Sequence, residues 1–331
     1  MATKWGIAGA GLISHDFVTA LRTLPNSEHC VVGVAARDLS RAKKFAELHK
    51  IENAYGSYKE LSQNKNIDVV YIGTLNPTHL EIGKMMLNAG KHILCEKPLT
   101  LNLKQTSELI SLAKSKGLFL MEAVWSRCFP TYTEVKKELD SGCIGEVKQV
   151  ICSFGFGLAD IERLNAKALG GGTILDLGVY VLQLVIFVFG CEKPEIVKAL
   201  GHLNKDGVDV SMSATLKFQG NRTATILTNS EVQLPNEAII IGTKGIIKIP
   251  EFWCPTKAEL PQRVIEITLP KGAHKFNFHN SAGLSFEATE VRNCLLKGLK
   301  ESPRVSHADS LLLAELEDEL RKQLGVVYEE D

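Results

Sequence analysis

Residues 4–38 constrain this chain more than any other stretch. They run Lys4-Trp5-Gly6-Ile7-Ala8, then Gly9-Ala10-Gly11-Leu12-Ile13-Ser14, then a helix-like segment, then Val31-Val32-Gly33-Val34-Ala35-Ala36-Arg37-Asp38. A buried strand, a glycine turn, a helix and a second apolar strand open a right-handed βαβ unit. Gly9 permits the tight turn, Gly11 lets backbone approach a pyrophosphate, and Ser14 is small enough for helix and strand to pack closely. A helix starting near Leu12 and Ile13 aims its N–H groups and positive dipole end at such an anion. The pattern predicts a dinucleotide site on Gly9, Gly11, Leu12 and Ile13.

The end of the second strand bears on which dinucleotide binds. A carboxylate there hydrogen-bonds a ribose 2′-hydroxyl and repels a 2′-phosphate. Here Ala36 is followed by Arg37, with Arg41 one helical turn further on. A guanidinium clamps a phosphate bidentately, so NADP is expected. Asp38 reads either as a ribose ligand or as the N-cap of the helix beginning at Leu39, and the cap is preferred. Arg37 also reads as a plain surface charge.

Hydrophobic residues make up 45% of the 331, and Lys plus Arg balance Asp plus Glu at 38 each, so nothing points to nucleic acid or an anionic membrane surface. The first residues lack the basic and apolar regions of a signal peptide. The longest apolar run, 174–189, holds Asp176 and Gln183 and is expected to be a buried helix rather than a span. Eight scattered cysteines without a Cys-x-x-Cys pair fit a reducing, cytoplasmic setting. The nine histidines show no ligand spacing, so no metal is expected.

Beyond Arg37 the chain alternates. Helices are expected over 40–50, 78–89 and 103–116, and strands over 67–72, 91–95 and 118–122. Gly90 and Gly117 stop two of the helices. This reads as an N-terminal Rossmann doubly wound parallel sheet, with ligands beyond the carboxyl ends of its strands. The character changes near Ala123. A helix at 130–139, a strand at 147–156, the Gly170-Gly171-Gly172 turn and the buried helix lead into strands split by turns over 195–269, and two helices close the chain. The fold class is therefore α/β: a dinucleotide domain over 1–123, then an α+β domain over 124–331 with a large, mostly antiparallel open sheet. The closing helices are free to pack back on the first domain. An open sheet with an apolar outer face needs a cover, so a homodimer through that sheet is expected.

Four segments carry chemistry. Thr74-Leu75-Asn76-Pro77-Thr78-His79 follows the strand that contains Tyr71, and Glu96-Lys97-Pro98 follows the next. Trp125 lies at the domain junction. Asp176 and Tyr180, four residues apart, share one helix face. Singly, each reads as an ordinary surface, capping or core residue; jointly they point to a site. Trp125, Phe154, Trp253 and Phe278 are candidates for an apolar substrate pocket and equally read as core.

The glycine turn, Glu96-Lys97-Pro98 and the segment Asp176-x-Gly178-x-Tyr180 resemble the Gfo/Idh/MocA oxidoreductase family over nearly the whole chain. Tyr180 stands where many members carry His, which places the resemblance with the tyrosine-bearing subgroup. The resemblance implies hydride transfer to NADP from a carbinol carbon. Its expected substrates are trans-dihydrodiols of aromatic hydrocarbons, giving catechols, with D-xylose as a further or main substrate. A non-catalytic NADP-binding regulator is the alternative of a different class. It further implies a cis Lys97–Pro98 bond and cofactor contacts from Tyr71, Thr74, Asn76, His79, Glu96 and Lys97. A free phenol, with a pKa of about 10, is a poor base at neutral pH. A nearby ammonium lowers it, so Tyr180 is expected to act with Lys97, and Lys97 as the direct proton carrier stays open. Asp176 would orient Lys97 or bind a second hydroxyl.

Overall fold

Short runs of Val, Ile and Leu, too apolar for a one-faced sheet, become a parallel sheet covered on both sides. In the computed structural model, which describes residues 1–331, the chain divides into two compact units. The first comprises Met1–Leu99, Lys104–Trp125 and Leu269–His307; the second comprises Thr100–Leu103, Ser126–Thr268 and Ala308–Asp331.

The first unit alternates β1 (Thr3–Ala8), α1 (Leu12–Leu21), β2 (His29–Ala35), α2 (Leu39–Leu48), β3 (Asn53–Tyr55), α3 (Tyr58–Gln63), β4 (Val69–Ile72), α4 (His79–Asn88), β5 (His92–Cys95), α5 (Leu103–Lys116) and β6 (Leu120–Glu122). The sheet order is β3-β2-β1-β4-β5-β6, the two-wing arrangement of a dinucleotide fold. Ala8 pairs with both Ala35 and Ile72, and Ile72 with Cys95, so the turns after four strands leave one edge together. Trp5 and Phe17 are fully buried edge to face, and the Trp5 indole donates to His29 Nδ1 at 3.2 Å. Asp38 caps α2, its carboxylate accepting from Ser40 N at 2.7 Å, as the cap reading expects. The short β3 and α3, absent from the sequence reading, complete one wing of the sheet.

The second unit contains α6 (Pro130–Asp140), β7 (Val147–Gly155), α7 (Glu162–Asn165), α8 (Val179–Phe189) and β8 to β14, in order Ile196–Leu203, Asp209–Phe218, Arg222–Asn229, Glu237–Gly242, Ile246–Pro250, Lys257–Glu259 and Val264–Glu266. Its eight strands are ordered β14-β13-β12-β11-β7-β10-β9-β8. Every pairing is antiparallel except β7 with β10, which run parallel. One face carries Val150, Cys152, Ala224, Ile226, Ala238 and Ile240, all at 0% exposure, and α8 packs on it. The opposite face leaves Ile151, Leu227, Ile239 and Ile241 half-buried and Leu200 open. The segment Lys167–Phe189 is apolar enough to cross a membrane, but 89% of its apolar window is buried inside the unit, as a core helix requires.

Two helices close the chain. α9 (Leu284–Leu296) belongs to the first unit and packs on α1; α10 (His307–Leu324) belongs to the second from Ala308 on.

Candidate active site

In the first unit the nucleotide turn is built on close backbone approach. Gly9 has φ +104°, and a Cβ there would stand 2.6 Å from the Gly73 carbonyl oxygen. Glycine is required on both counts. A Cβ at Gly73 would in turn meet Ser14 Oγ at 2.5 Å, so the small third residue of the motif faces the β4 turn. Gly11 is the N-cap of α1, with no side-chain cap and no acidic residue in the first turn. The orphan N–H groups of that helix end and its positive pole are thus left for an anion.

A cavity of about 300 Å³ adjoins the turn, lined by Ala10, Gly11, Leu12, His15, Arg41, Phe45 and Asn277. Arg37 and Arg41 are both exposed at the end of β2, and an Arg41 Nη lies 3.5 Å from the Ala10 carbonyl. Both guanidiniums pull the Tyr58 phenol down, against the larger upward push of burial.

His15, Phe45 and Asn277 escaped the sequence reading. Asn277 arrives on a strap, residues 271–280, anchored by a charged residue inside an apolar helix. The wholly buried Asp16 carboxylate accepts the backbone N–H groups of Asn277 and Phe278 at 2.9 Å and the Asn277 amide at 2.8 Å. A buried carboxylate at 16 was the available signal, since such a charge needs partners. Nearby, His15 Nε2 donates to the Lys275 carbonyl at 3.1 Å, which leaves its Nδ1 to accept from His49 Nε2 at 3.0 Å. His49 is buried and neutral, its pKa pushed down to about 3 by burial and then by His15.

At the next strand ends, Asn76–Thr78 form a 3-10 turn before α4, with Thr74 and Asn76 half-buried. Lys97 is half-buried, and the Lys97–Pro98 peptide is cis, as the resemblance implies. Two expected cofactor contacts lie deeper. Tyr71 is 0% exposed, and its hydroxyl donates to Glu96 Oε1 at 2.5 Å. His79 is also 0% exposed, with Nδ1 2.9 Å from the Pro98 carbonyl and Nε2 3.2 Å from that of Thr74. Burial lowers its pKa, and a neutral ring has one N–H, which the shorter contact assigns to Nδ1. Both residues therefore act from beneath, tying the strand-end loops together, rather than presenting a surface.

In the second unit, Gly170-Gly171-Gly172 leads into a π-helical turn, Ile174–Gly178, that runs into α8. Buried Asp209 holds this turn, accepting from the Thr173 hydroxyl at 2.6 Å and from Ile174 N at 2.8 Å. A Cβ at Gly172 would strike the Asp209 carboxylate at 2.4 Å, so the third glycine is a steric requirement. The Asp176 carboxylate accepts from Arg163 on α7 at 3.0 Å, a partner the sequence did not single out.

Tyr180 is 7% exposed and packs edge to face on Phe154 at 5.4 Å. Phe154 also meets Trp253 at 4.6 Å, and Phe156 closes the group at 5.6 Å from Trp253. The 252–255 loop is pinned by hydroxyls, Tyr132 donating to the Phe252 carbonyl at 3.0 Å and Thr131 to that of Pro255 at 2.7 Å. Phe154, Asp176, Tyr180 and Trp253 therefore share one unit, with Phe154 touching both Tyr180 and Trp253. Lys97, Trp125 and Phe278 belong to the other, where Trp125 is 6% and Phe278 is 44% exposed.

Comparison with known proteins matches both halves of the chain. The family model of an oxidoreductase family with an NAD-binding Rossmann fold covers residues 3–124, and that of the GFO/IDH/MocA C-terminal domain covers 132–248. The chain is 50% identical to trans-1,2-dihydrobenzene-1,2-diol dehydrogenase of Danio rerio over 100% of this chain and 99% of that protein. It is 44% identical to the Sus scrofa protein of the same name, over the same shares. Among solved structures, the 3-ketoreductase KijD10 from Actinomadura kijaniata, in complex with NADP and TDP-benzene, aligns at TM-score 0.81 with 27% identity over 98% of each chain. The aldose-aldose oxidoreductase from Caulobacter crescentus aligns at TM-score 0.83 with 22% identity, over 98% of this chain and 97% of that one, a likeness of fold.

Proposed function

The chain belongs to the Gfo/Idh/MocA oxidoreductase family, and from that premise we propose that it oxidises trans-dihydrodiols of aromatic hydrocarbons to catechols with NADP. The observation that carries the reading is the Phe154–Trp253–Tyr180 cluster, three aromatic rings in contact with a phenol among them. Flat apolar rings suit a cyclohexadiene diol, and the phenolic oxygen supplies a polar handle for one of its hydroxyls.

NADP rather than NAD is supported by two features of the β2 end. Arg37 and Arg41 stand there as exposed cations, and the neighbouring carboxylate, Asp38, is engaged as a helix cap. The bound cofactor supplies a hydride acceptor. Gly9, Gly11 and the N-terminus of α1 hold its pyrophosphate, the two arginines its 2′-phosphate, and Thr74, Asn76, Glu96 and Lys97 its nicotinamide half. Tyr180 takes the hydroxyl proton of the reacting carbinol, and Lys97 stabilises the phenolate that this role requires. Arg163 orients Asp176 to accept a hydrogen bond from the second hydroxyl. Loss of hydride and proton from one carbinol yields a hydroxy-dienone, which tautomerises to the catechol, and aromatisation drives the sequence forward.

D-xylose is the second substrate class, favoured by Asp176, because a carboxylate one helical turn before Tyr180 is a group that binds vicinal hydroxyls. The protein is further proposed to be a homodimer through the outer face of the eight-stranded sheet, where Ile151 pairs in register with Ile239 and both stay half-buried. The test is a panel of benzene trans-dihydrodiol and D-xylose, each with NADP and NAD. Turnover of the diol with NADP supports the reading. Xylose alone would make it a sugar dehydrogenase, and no turnover with any pair would favour a cofactor-binding regulator.

A further inference from the structure

Tyr328 lies outside every motif of the sequence reading, yet its hydroxyl reaches the glycine turn that opens α8. The side chain is buried, and its hydroxyl donates to the Gly171 carbonyl. The same peptide unit is held at its other end, where the Gly172 N–H donates to the Leu164 carbonyl of α7 at 2.9 Å. Glycine on both sides leaves a peptide plane free to rotate, so these two bonds decide how it faces. The next carbonyl, that of Gly172, accepts from the Asp176 N–H at 3.3 Å. Turning the first peptide would therefore shift the second, and with it the π-helical turn that carries Asp176. α7 also bears Arg163, the donor to the Asp176 carboxylate, so the hydroxyl, α7 and that carboxylate are tied in one network.

Tyr328 is itself held firmly. Its ring packs with Leu101, Leu175, Val208 and Val326 in one apolar cluster, and Leu175 directly precedes Asp176. The Arg321 guanidinium lies over the ring at 4.8 Å, and the Tyr328 N–H donates to the Asp331 carboxylate at 2.9 Å. Arg321 donates to the same carboxylate at 2.8 Å, and Asn102 donates to the Glu330 carbonyl at 3.0 Å. Burial and then Asp209 raise the phenol, so it keeps its proton and stays a donor. Phenylalanine would serve the packing equally well; what the hydroxyl adds is direction.

We propose that Tyr328 is a positioning residue: by fixing the Gly171–Gly172 peptide it sets where the π-helical turn begins, and so aims Asp176 and Tyr180. This rests on the reading that those two residues serve the reaction. Without the hydroxyl the Gly171 carbonyl is left without that donor, and the peptide turns to find another.

The test uses the full-length protein with NADP and benzene trans-dihydrodiol or D-xylose. Tyr328→Phe keeps the ring and removes only the donor. It lowers kcat about tenfold, as a small displacement of reacting groups does, and leaves the Kd for NADP within about twofold. Amide hydrogen exchange over residues 170–178 accelerates by about tenfold, the sign of a turn that opens locally. Val326→Ala loosens the same cluster and leaves the hydroxyl alone; it lowers the thermal midpoint and keeps kcat within about twofold. The proposal is overturned if Tyr328→Phe turns over as fast as the unaltered protein, if Val326→Ala loses as much kcat, or if exchange over 170–178 is unchanged. A phenylalanine variant that failed to fold would assign the hydroxyl to stability and overturn it as well. If the unaltered protein turns over neither substrate, the proposed function fails, and the exchange rates still report whether the hydroxyl holds the turn.

Discussion

Arg163 donates through Nη1 to the Asp176 carboxylate at 3.0 Å, tying the short α7 to the π-helical turn that opens α8. Arg163 is 42% and Asp176 11% exposed at the side chain, so the pair is a guide for the carboxylate more than a source of stability. Replacing Arg163 with Met is expected to raise KM for a diol or sugar by about threefold to tenfold, with a smaller change in kcat and little change in thermal midpoint. Steady-state kinetics beside a melting curve check this. An unchanged KM would mean that Asp176 does not meet the substrate.

Arg37 and Arg41 should set cofactor choice. The double substitution Arg37→Ala with Arg41→Ala is expected to raise KM for NADP by about tenfold to a hundredfold while leaving that for NAD within about twofold, because a 2′-phosphate is the group that only they would clamp. Initial rates with the two cofactors give the ratio directly. An equal loss with both would assign the arginines to general packing.

Removing the Tyr180 hydroxyl leaves its edge-to-face contact with Phe154 in place. Tyr180→Phe should therefore fold normally and lose about a hundredfold to ten-thousandfold in kcat, the range that positioned proton transfer contributes. Lys97→Met should lower kcat as well. Full turnover in the phenylalanine variant would transfer the proton step to Lys97.

His49 makes the first unit sensitive to acid. It is fully buried, and its folded pKa of about 3 lies below the value of about 6.5 expected of the unfolded chain. Between those values the unfolded state binds the extra proton, so stability is intact above about pH 6.5 and falls as the pH drops toward 3. His29, lowered to about 4 by burial and then by Arg292, adds a second term of the same sign. Denaturation midpoints between neutral pH and pH 5 should decline, and His49→Gln, which retains a donor toward His15 Nδ1, should flatten the slope. Equal slopes for both proteins would count against a neutral buried His49.

The strap at 271–280 depends on Asp16. Asp16→Ala strands the Asn277 and Phe278 N–H groups, and the strap is then expected to open. Lys271 and Lys275 are exposed on it, so trypsin should cut there about tenfold faster than in the unaltered protein. Mass spectrometry of the early fragments checks both the site and the rate.

Much of the architecture was legible from residue order. The run from Trp5 to Asp38 shows its strand, turn, helix and second strand in the pattern of apolar and small residues. The helix expected over 103–116 is observed over the same residues as α5. Asp38 declares a helix start by its chemistry. These features act over a few residues, where periodicity and turn preference are strong. The three-residue β3 and the six-residue α3 were too short to leave a period.

What the residue order left open involves partners far apart in the chain. That β7 pairs in parallel with β10 is a matter of sheet assembly, and nothing in either strand announces its neighbour. Asp16 finds its donors 261 residues away at Asn277, and Arg163 finds Asp176 only because α7 turns back on the glycine-rich turn. Tyr71 and His79 were expected to contact a cofactor, yet only packing revealed that both are fully enclosed. Local propensity and spacing reside in the chain; burial, and the charge states that burial imposes, exist only once distant segments have excluded water from one another.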